Sequence, residues 1–211
     1  DLLLMKNNFF IFTLFLIFLI SCSEKNVTLR RIEDINKAEK KLAKNPKNEG
    51  TLLEVLNAAQ NGNREVRAEA MWVLSNLETE IAYSDFLKAS VEDPDFNVRC
   101  IAVMGLGKLA ASNPEAIDSI KRAISDTDLQ VQMEALKVAG NINAPELLNP
   151  ILDSLSSRNK WVRMTAIESL KDYKDAKVDR ALNLLSSGDS DYAVKSIAEQ
   201  VIEYRKGNAY E

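Results

Sequence analysis

The chain has 211 residues, of which 46% are hydrophobic and 27% charged, so its composition is that of a globular protein with enough length for one domain. Its net charge of −4 argues against a nucleic-acid-binding protein, since phosphate contacts need clustered lysine and arginine. The sequence contains no histidine, which removes the side chain most often used as a metal ligand or general base.

Residues 1–21 have the pattern of a secretory signal peptide. Met5, Lys6 and two asparagines form a short basic start, and residues 9–20 are apolar apart from Thr13. This apolar run is shorter than the about 20 residues that span a membrane as a helix. Residues 1–4 precede Met5, the expected initiator. We therefore expect this segment to direct export and to lie outside the fold.

The signal segment ends in Leu-Ile-Ser-Cys, residues 19–22, which resembles the lipobox of bacterial lipoproteins. The resemblance implies that Cys22 is lipidated and anchors the chain, with residues 22–27 as a short tether. Ser23 after the cysteine implies the outer membrane of the cell envelope, with the protein facing the periplasm or the surface. The alternative is an ordinary signal peptide with an incidental cysteine. If Cys22 is lipidated, Cys100 is the one cysteine that remains as a free thiol. No intramolecular disulfide can then form in the mature chain.

Residues 28–49 predict a charged N-terminal cap helix and a linker. Ile32, Ile35, Ala38 and Leu42 follow one another at helical spacing. The segment lacks the signature of the later repeats, as an end unit of a repeat array often does. A membrane-surface helix is the alternative, and the acidic residues among its first twelve positions argue against it.

A signature of about eight residues then occurs five times. Its valine stands at positions 66, 98, 131, 162 and 194, so the steps are 32, 33, 31 and 32 residues. Asn or Asp precedes each valine by three residues and predicts a helix N-cap. Alanine follows each valine by four residues, which places both on one face of a helix. We expect these ten valine and alanine side chains to be buried between successive units.

Each signature lies on the second helix of a repeat, and a first helix is predicted before it. The first helices are expected at residues 51–60, 81–91, 114–125, 145–156 and 177–186. Pro150 lies inside the fourth of these first helices and predicts either a kink there or a restart of the helix after Asn149. The repeats then cover residues 50–79, 80–111, 112–143, 144–174 and 175–206, with residues 207–211 as a tail. No segment remains for strands, so the expected fold is all-α.

Each unit of about 32 residues has two helices and a motif of the form Asp-x-Asp-x-x-Val-Arg, as at Asp93, Asp95, Val98 and Arg99. This arrangement resembles the HEAT-like repeats first noted in phycobilisome lyases. The resemblance covers residues 50–206 and implies an α-solenoid of about five helical hairpins. Tetratricopeptide landmarks are missing. Deoxyhypusine hydroxylases, which have similar repeats, need histidine ligands that this chain lacks. We expect no metal, no cofactor and no catalytic residues.

In HEAT families an aspartate and an arginine form a ladder between neighbouring repeats. The resemblance implies this structural role for five residues, which are Asp93, Arg99, Asp126, Arg163 and Asp189. A ligand-binding row is the alternative. Gln132 and Ser157 stand at the same positions in repeats three and four. We expect a bend or a looser interface there.

The side of the second helices that faces away from the buried stripe is apolar where a solvated surface would be polar. Its residues are Trp72, Cys100, Met104, Met133 and Met164. In HEAT-like solenoids this row lines the concave face, and flexible methionines suit a peptide or protein partner. The alternative is that curvature buries the row against adjacent repeats. Cys100 is expected to be a small apolar filler rather than a reactive thiol.

Three aromatic residues, Phe96, Trp161 and Tyr192, lie at the starts of second helices. We expect them to pack against the preceding turn rather than to form an interaction rim. Together these features predict a membrane-anchored, non-enzymatic scaffold that binds a protein or peptide. The alternatives are an enzyme or accessory subunit of the lyase type, as the repeat subfamily's name suggests, and a purely structural envelope protein.

Overall fold

The computed structural model describes residues 32–77, 79–111 and 113–207, and every regular element in those ranges is helical. The predicted signal peptide, Cys22 and the tether lie outside the described residues. The all-α fold class is therefore confirmed. Contacts divide the chain into two compact units, one up to Val73 and one from Leu74 onward. None of the described helices has both the length and the apolarity to cross a bilayer.

The first unit begins with helix α1 at residues 32–44, which buries Ile35, Ala38 and Leu42. These are three of the four apolar residues whose spacing predicted it. Helix α2 (Glu49–Asn61) follows, with the Asn48 side chain accepting a hydrogen bond from the Thr51 amide at 2.9 Å. Helix α3 (Arg64–Leu77) contains the boundary between the two units.

The second unit consists of four helical hairpins that follow one another along the chain. A short 3-10 turn at Glu80–Ala82 leads into the first of them. The hairpins are α4 (Tyr83–Glu92) with α5 (Phe96–Leu109), α6 (Glu115–Ile124) with α7 (Leu129–Ile142), α8 (Pro145–Ser154) with α9 (Lys160–Ser169), and α10 (Ala176–Gly188) with α11 (Tyr192–Gly207). With α2 and α3 they make five hairpins.

Each second helix begins where its capping residue predicted. The side-chain oxygens of Asp95, Asp128, Asn159 and Asp191 accept hydrogen bonds from amides two residues later, at 2.8–2.9 Å. Asn63 accepts from the Val66 amide at 3.0 Å. These bonds satisfy donors that the first helical turn leaves unpaired, which fixes the point at which each helix starts.

The buried stripe lies where the valine and alanine spacing placed it. All ten signature side chains are no more than 1% exposed; they are Val66, Val98, Val131, Val162 and Val194 with Ala70, Ala102, Ala135, Ala166 and Ala198. Within the second unit, α5 packs on α7, α7 on α9 and α9 on α11, while α4, α6 and α8 form the other layer. The core is thus continuous from one hairpin to the next.

Pro150 does not interrupt the fourth first helix, because α8 continues through it from Pro145 to Ser154. The predicted restart after Asn149 is therefore wrong. Pro150 removes a single amide from the middle of a ten-residue helix. The Ile151 side chain, which is fully buried, holds the following turn against the core.

Candidate functional site

The predicted apolar row on the second helices is partly buried. Cys100, Met104, Met133 and Met164 are all half-buried in the second unit. Trp72, in the first unit, is 41% exposed. Because a half-buried side chain both packs on its neighbour and reaches solvent, the row is neither a free surface nor part of the core.

A groove lies between the C-terminal halves of α5 and α7, and Met104 is the row residue that lines it. Its volume is about 550 Å³. Gly107 on α5 and Ala110 and Ala111 just after it leave space, and Val138 and Ile142 face them from α7. The two helices approach closely, since a Cβ added at Gly107 would lie 2.6 Å from a Val138 methyl carbon. Small residues on one helix and branched residues on the other thus form an apolar floor.

Three polar residues also line this groove, namely Lys108, Glu134 and Asn141. The Lys108 ammonium group donates to the Ser75 carbonyl at 2.9 Å and to the Asn76 side chain at 3.4 Å. Glu134 pairs with Lys137 at 3.6 Å. Lys108 therefore links α5 to the end of α3, and Glu134 is engaged within α7, so the groove offers a mainly apolar contact surface.

Cys100 lies on the same side of α5, one helical turn before Met104. Burial, and then the nearby Glu134 carboxylate, raise the pKa of its thiol to about 11. The thiol is consequently protonated at neutral pH, and a protonated thiol is a poor nucleophile. This agrees with the expectation that Cys100 fills space.

The structure brings together four of the five predicted ladder residues in two pairs. The Arg99 guanidinium donates two hydrogen bonds of 2.8 Å to the Asp126 carboxylate of the next hairpin. Arg163 donates two bonds of the same length to Asp189. Each arginine also donates to a carbonyl in its own turn, Arg99 to that of Asp93 at 2.9 Å and Arg163 to that of Ser157 at 2.8 Å.

Both aspartates hold their own turns at the same time. Asp126 accepts from the Asp128 amide and Asp189 from the Asp191 amide, each at 2.8 Å. Burial by itself raises the pKa of these carboxyls. The hydrogen bonds from arginine and from the turn amide outweigh burial, so both pKa values lie below the ordinary 3.8. The pairs therefore have the chemistry of structural links between hairpins.

The interface between α7 and α9 has no such pair. Gln132 donates to the Asp126 carbonyl of its own turn at 2.6 Å, and the Ser157 hydroxyl accepts from the Asn159 amide at 3.2 Å. The interface is nevertheless closely packed, because a Cβ added at Gly140 would lie 2.8 Å from the Ser169 Cα. The approach of the two backbones is thus close at this point, and the expected bend or looser interface stays a prediction.

Sequence reasoning missed a set of side chains that cap the C-terminal carbonyls of the preceding second helix. The buried Tyr173 hydroxyl donates toward the carbonyls of Ala139 at 3.2 Å and Ala144 at 3.1 Å, and burial raises its pKa to about 12. Arg205 donates to the carbonyls of Leu170 and Tyr173 at 3.1 and 2.6 Å. Tyr173 and Arg205 both stand eleven residues after a signature valine, where the earlier repeats have leucine or isoleucine. That polar change was the available signal.

The aromatic residues at the helix starts are more exposed than expected. Trp161 is 57% and Tyr192 84% exposed, while Phe96 is half-buried. The predicted packing against the preceding turn is therefore wrong for Trp161 and Tyr192. Lys160 covers one face of the Trp161 ring at 5.4 Å and pairs with Asp191 at 3.1 Å. A side chain in the first turn of a helix points past the end of the packed layer, which explains the exposure.

Titratable side chains do not converge on a metal-like site in the part of the chain that the structure describes. No group of three or more cysteine, aspartate or glutamate side chains occurs there that could hold an ion. The described residues therefore give no support for a bound metal ion.

Three comparisons place the chain among known proteins. A family profile described as HEAT repeats matches residues 49–130, 83–155 and 120–203. A curated relative, the AP-3 complex subunit beta of Eremothecium gossypii, is 27% identical over 149 residues, which are 65% of this chain and 19% of that protein. The chain thus spans about a fifth of that relative's length.

Solved structures of repeat proteins are also similar. The complex of CpcE and CpcF of phycocyanin lyase from Nostoc sp. PCC7120 matches with a TM-score of 0.58 and 20% identity, over 73% of this chain and 99% of that chain. A computationally designed armadillo repeat protein for modular peptide recognition matches with a TM-score of 0.57 and 16% identity, over 85% and 93%. At these identities the likeness concerns the fold. The repeated signature, the stacked hairpins and the profile match lead to one conclusion: the chain belongs to the HEAT-repeat family.

Proposed function

We propose that this protein is a non-catalytic scaffold that binds a polypeptide segment at the groove between α5 and α7. The observation that carries the proposal is the groove itself, an open apolar depression of about 550 Å³ beside the half-buried Met104. A concave, mostly apolar surface with a few polar groups is the usual form of a binding site. Met104 adds a flexible side chain that adapts to the shape of a partner.

The polar groups around the groove favour binding over catalysis. Lys108 and Glu134 already have partners, so they do not converge on one point where a reacting atom would sit. The Cys100 thiol is protonated because its pKa is raised to about 11. Cys100, Met133 and Met164 extend the apolar row beyond the groove on α5, α7 and α9. Trp72 occupies the corresponding face of α3 in the first unit.

An apolar segment of the partner, helical or extended, fits this surface chemistry. The designed armadillo protein of similar fold is named for modular peptide recognition. That name describes the designed protein. For this chain it suggests only the class of partner, which is a peptide. Polypeptide segments bind repeat arrays because stacked hairpins present a long surface without an enclosed pocket.

The proposal includes attachment to a bacterial membrane, with the outer membrane favoured, through a lipid on Cys22. Its support is the sequence of residues 19–22 together with the apolar run before it. Cells fed an alkyne-labelled palmitate should incorporate the label into the full chain and not into a Cys22→Ser variant. Equal labelling of the two chains would contradict the attachment.

The groove is tested by a matched pair of charge substitutions. Met104→Glu places a carboxylate in the apolar groove, whereas Lys88→Glu changes an exposed position on α4 in the other layer. We expect Met104→Glu to reduce co-purification of the partner at least tenfold and to lower the melting temperature only slightly, because Met104 is half-buried in an open groove. Equal recovery with both variants would contradict the proposed site, and a large fall in melting temperature would assign Met104 to the core.

An accessory subunit of the lyase type is the second candidate. Its support is the likeness of fold to the CpcE and CpcF complex of phycocyanin lyase. Native mass spectrometry of the chain from its own membranes separates the two functions. A bound chromophore or other small molecule would favour the lyase type, and a bound polypeptide would favour the scaffold.

A further inference from the structure

Helix α1 and the turn after it carry a cluster of lysines that the scaffold function does not use. Lys37, Lys40, Lys41, Lys44 and Lys47 are all exposed. With Glu39 as the one acidic residue among them, residues 37–47 have a net charge of +4, whereas the whole chain carries −4. The remainder of the chain is therefore acidic on balance, and Glu33, Asp34 and Glu49 flank the lysine-rich stretch.

The lysines share one face of α1. Ile35, Ala38 and Leu42 are buried on one side of the helix. At about 100° per residue, Lys37, Lys40, Lys41 and Lys44 project from the opposite side, which Glu33 shares in the first turn. We call these four residues and Lys47 the lysine patch. Within the described ranges, Lys37 pairs with Asp34 at 3.4 Å while remaining 68% exposed, and no ion pair is seen for the other four.

A lysine near the end of a helix is often explained by its favourable interaction with the helix dipole. That explanation covers one or two residues in the last turn. It does not cover Lys37 and Lys40, which lie earlier in α1, or Lys47, which lies beyond it. The size of the patch therefore points to an external anionic surface.

The composition of the patch favours a bilayer over an acidic protein. Protein interfaces depend on aromatic and arginine anchors seated in pockets, and residues 37–47 contain neither arginine nor an aromatic side chain. Lysine is a compact, mobile point charge, which suits headgroups that are themselves mobile. Clustered lysines beside a membrane anchor are attracted to anionic lipid at about a fivefold gain in partition for each residue.

The chain length places the patch within reach of a membrane. Nine residues, 23–31, separate Cys22 from the first described residue of α1. Even fully extended, nine residues span about 30 Å. An anchor at Cys22 would therefore keep the start of α1 within about 30 Å of the headgroups.

We propose that the lysine patch binds the anionic headgroups of the membrane to which Cys22 attaches the chain, so that the first unit lies against the bilayer. The inference rests on the membrane attachment proposed above, and it is independent of the groove on α5 and α7. Two contacts, the anchor and the patch, would hold this end of the chain at the membrane surface.

The test uses the full chain purified from membranes and reconstituted in vesicles of phosphatidylcholine, with or without phosphatidylglycerol. An amine-reactive reagent that does not cross membranes labels the lysines, and mass spectrometry gives a rate for each. We expect labelling of the patch to slow at least fivefold on the anionic vesicles and to recover in high salt, which screens the attraction. Lys88, Lys174 and Lys177 in the second unit should react equally on both.

Matched variants separate the patch from total charge. One replaces Lys40, Lys41, Lys44 and Lys47 with glutamine, and the other replaces Lys88, Lys137, Lys174 and Lys177. Retention on neutral vesicles reports the anchor alone. A chain retained on anionic vesicles only, and lost with the first variant only, would support the patch while contradicting the anchor.

Two results would overturn the inference. Equal labelling rates of the patch lysines on neutral and anionic vesicles would show that lipid charge does not reach them. Slower labelling in native membranes but not in protein-free anionic vesicles would assign the patch to an acidic protein instead.

Discussion

The interfaces on either side of α7 hold neighbouring hairpins together by different means. Between α5 and α7, Arg99 and Asp126 form a doubly hydrogen-bonded pair whose side chains are each 12% exposed. Between α7 and α9, glutamine and serine replace that pair. There the Gly140 backbone lies against Ser169, and the Tyr173 hydroxyl donates toward the Ala139 carbonyl in α7 and the Ala144 carbonyl before α8.

The difference shows that an interface without a ladder pair can hold a close backbone approach and a buried hydroxyl. A buried ion pair must overcome the cost of removing two charges from water, and close backbone packing has no such cost. Between α7 and α9, small residues and a buried hydroxyl can therefore supply the stabilisation that the arginine and aspartate pair supplies between α5 and α7. Five experiments test this exchange, from the largest expected effect to the smallest.

Arg163→Met should destabilise the chain most, by about 2–3 kcal/mol in the free energy of unfolding, because it leaves the nearly buried Asp189 carboxylate without its charged donor. Urea unfolding measures the change. Arg180→Met, at an exposed position on α10, is the control and should change stability by less than about 0.5 kcal/mol. Equal effects of the two substitutions would show that the ladder does not stabilise the fold.

The same pair gives a pH dependence with a defined sign. The folded pKa of Asp189 lies below its ordinary value of 3.8, so the pair contributes fully above that value and its contribution falls as the pH drops through the folded pKa. The stability difference between the wild-type chain and Arg163→Met should therefore shrink in acid. A difference that stays constant from neutral pH to well below 3.8 would contradict the assignment.

Gly140→Ala should destabilise the α7 and α9 interface by about 2 kcal/mol, although alanine is the better helix former. The new Cβ would lie 2.8 Å from the Ser169 Cα and 2.9 Å from its carbonyl oxygen, and backbone atoms cannot move aside cheaply. Gly188→Ala is the matched control, since nothing lies within 4 Å of its Cβ position. If both variants are equally stable, the close approach does not stabilise this interface.

Tyr173→Phe removes the buried hydroxyl and should cost about 1 kcal/mol, because the carbonyls of Ala139 and Ala144 lose a donor. Tyr204→Phe provides the comparison, since that hydroxyl bonds to Asp172 at a side chain 46% exposed, where water can replace it. Thermal unfolding of both variants is sufficient. A larger loss of stability for Tyr204→Phe than for Tyr173→Phe would contradict a stabilising role for the buried hydroxyl.

Transplanting the ladder into the third hairpin should have the smallest effect. Gln132→Arg with Ser157→Asp recreates the pairing of Arg99 with Asp126 and should add about 0.5–1 kcal/mol of stability. The two single substitutions complete a double-mutant cycle that isolates the pair from each change alone. No coupling between the two positions would mean that the α7 and α9 spacing differs too much from that of α5 and α7.

Helices, caps and the buried stripe could be predicted because each depends on residues close together in sequence. Asp128, Val131 and Ala135 lie within one helical segment, and their spacing determines where it begins and which face it buries. The role of Gly140 depends instead on the distance between α7 and α9. The exposure of Trp161 depends on where the layer ends. Neither distance is encoded in a single repeat.

The candidate site was predicted only in part for the same reason. Periodicity identified the side of α5 that carries Met104, but it gives no depth, so it could not separate a half-buried row from a free surface. The groove arises from Gly107 and Ala111 opposite Val138. These belong to different repeats, and their approach is set by packing between hairpins.

Photo-crosslinking from position 104 tests the central claim most directly. A benzoyl-phenylalanine placed there in the full chain, in its native membranes, should give one dominant crosslink to a polypeptide, and mass spectrometry should map it to a short segment of that partner. The same probe at position 88 on α4 should not give this product. A third probe replaces the exposed Trp161. An identical crosslink pattern at positions 104 and 88, or a partner crosslinked only from position 161, would contradict binding at the groove.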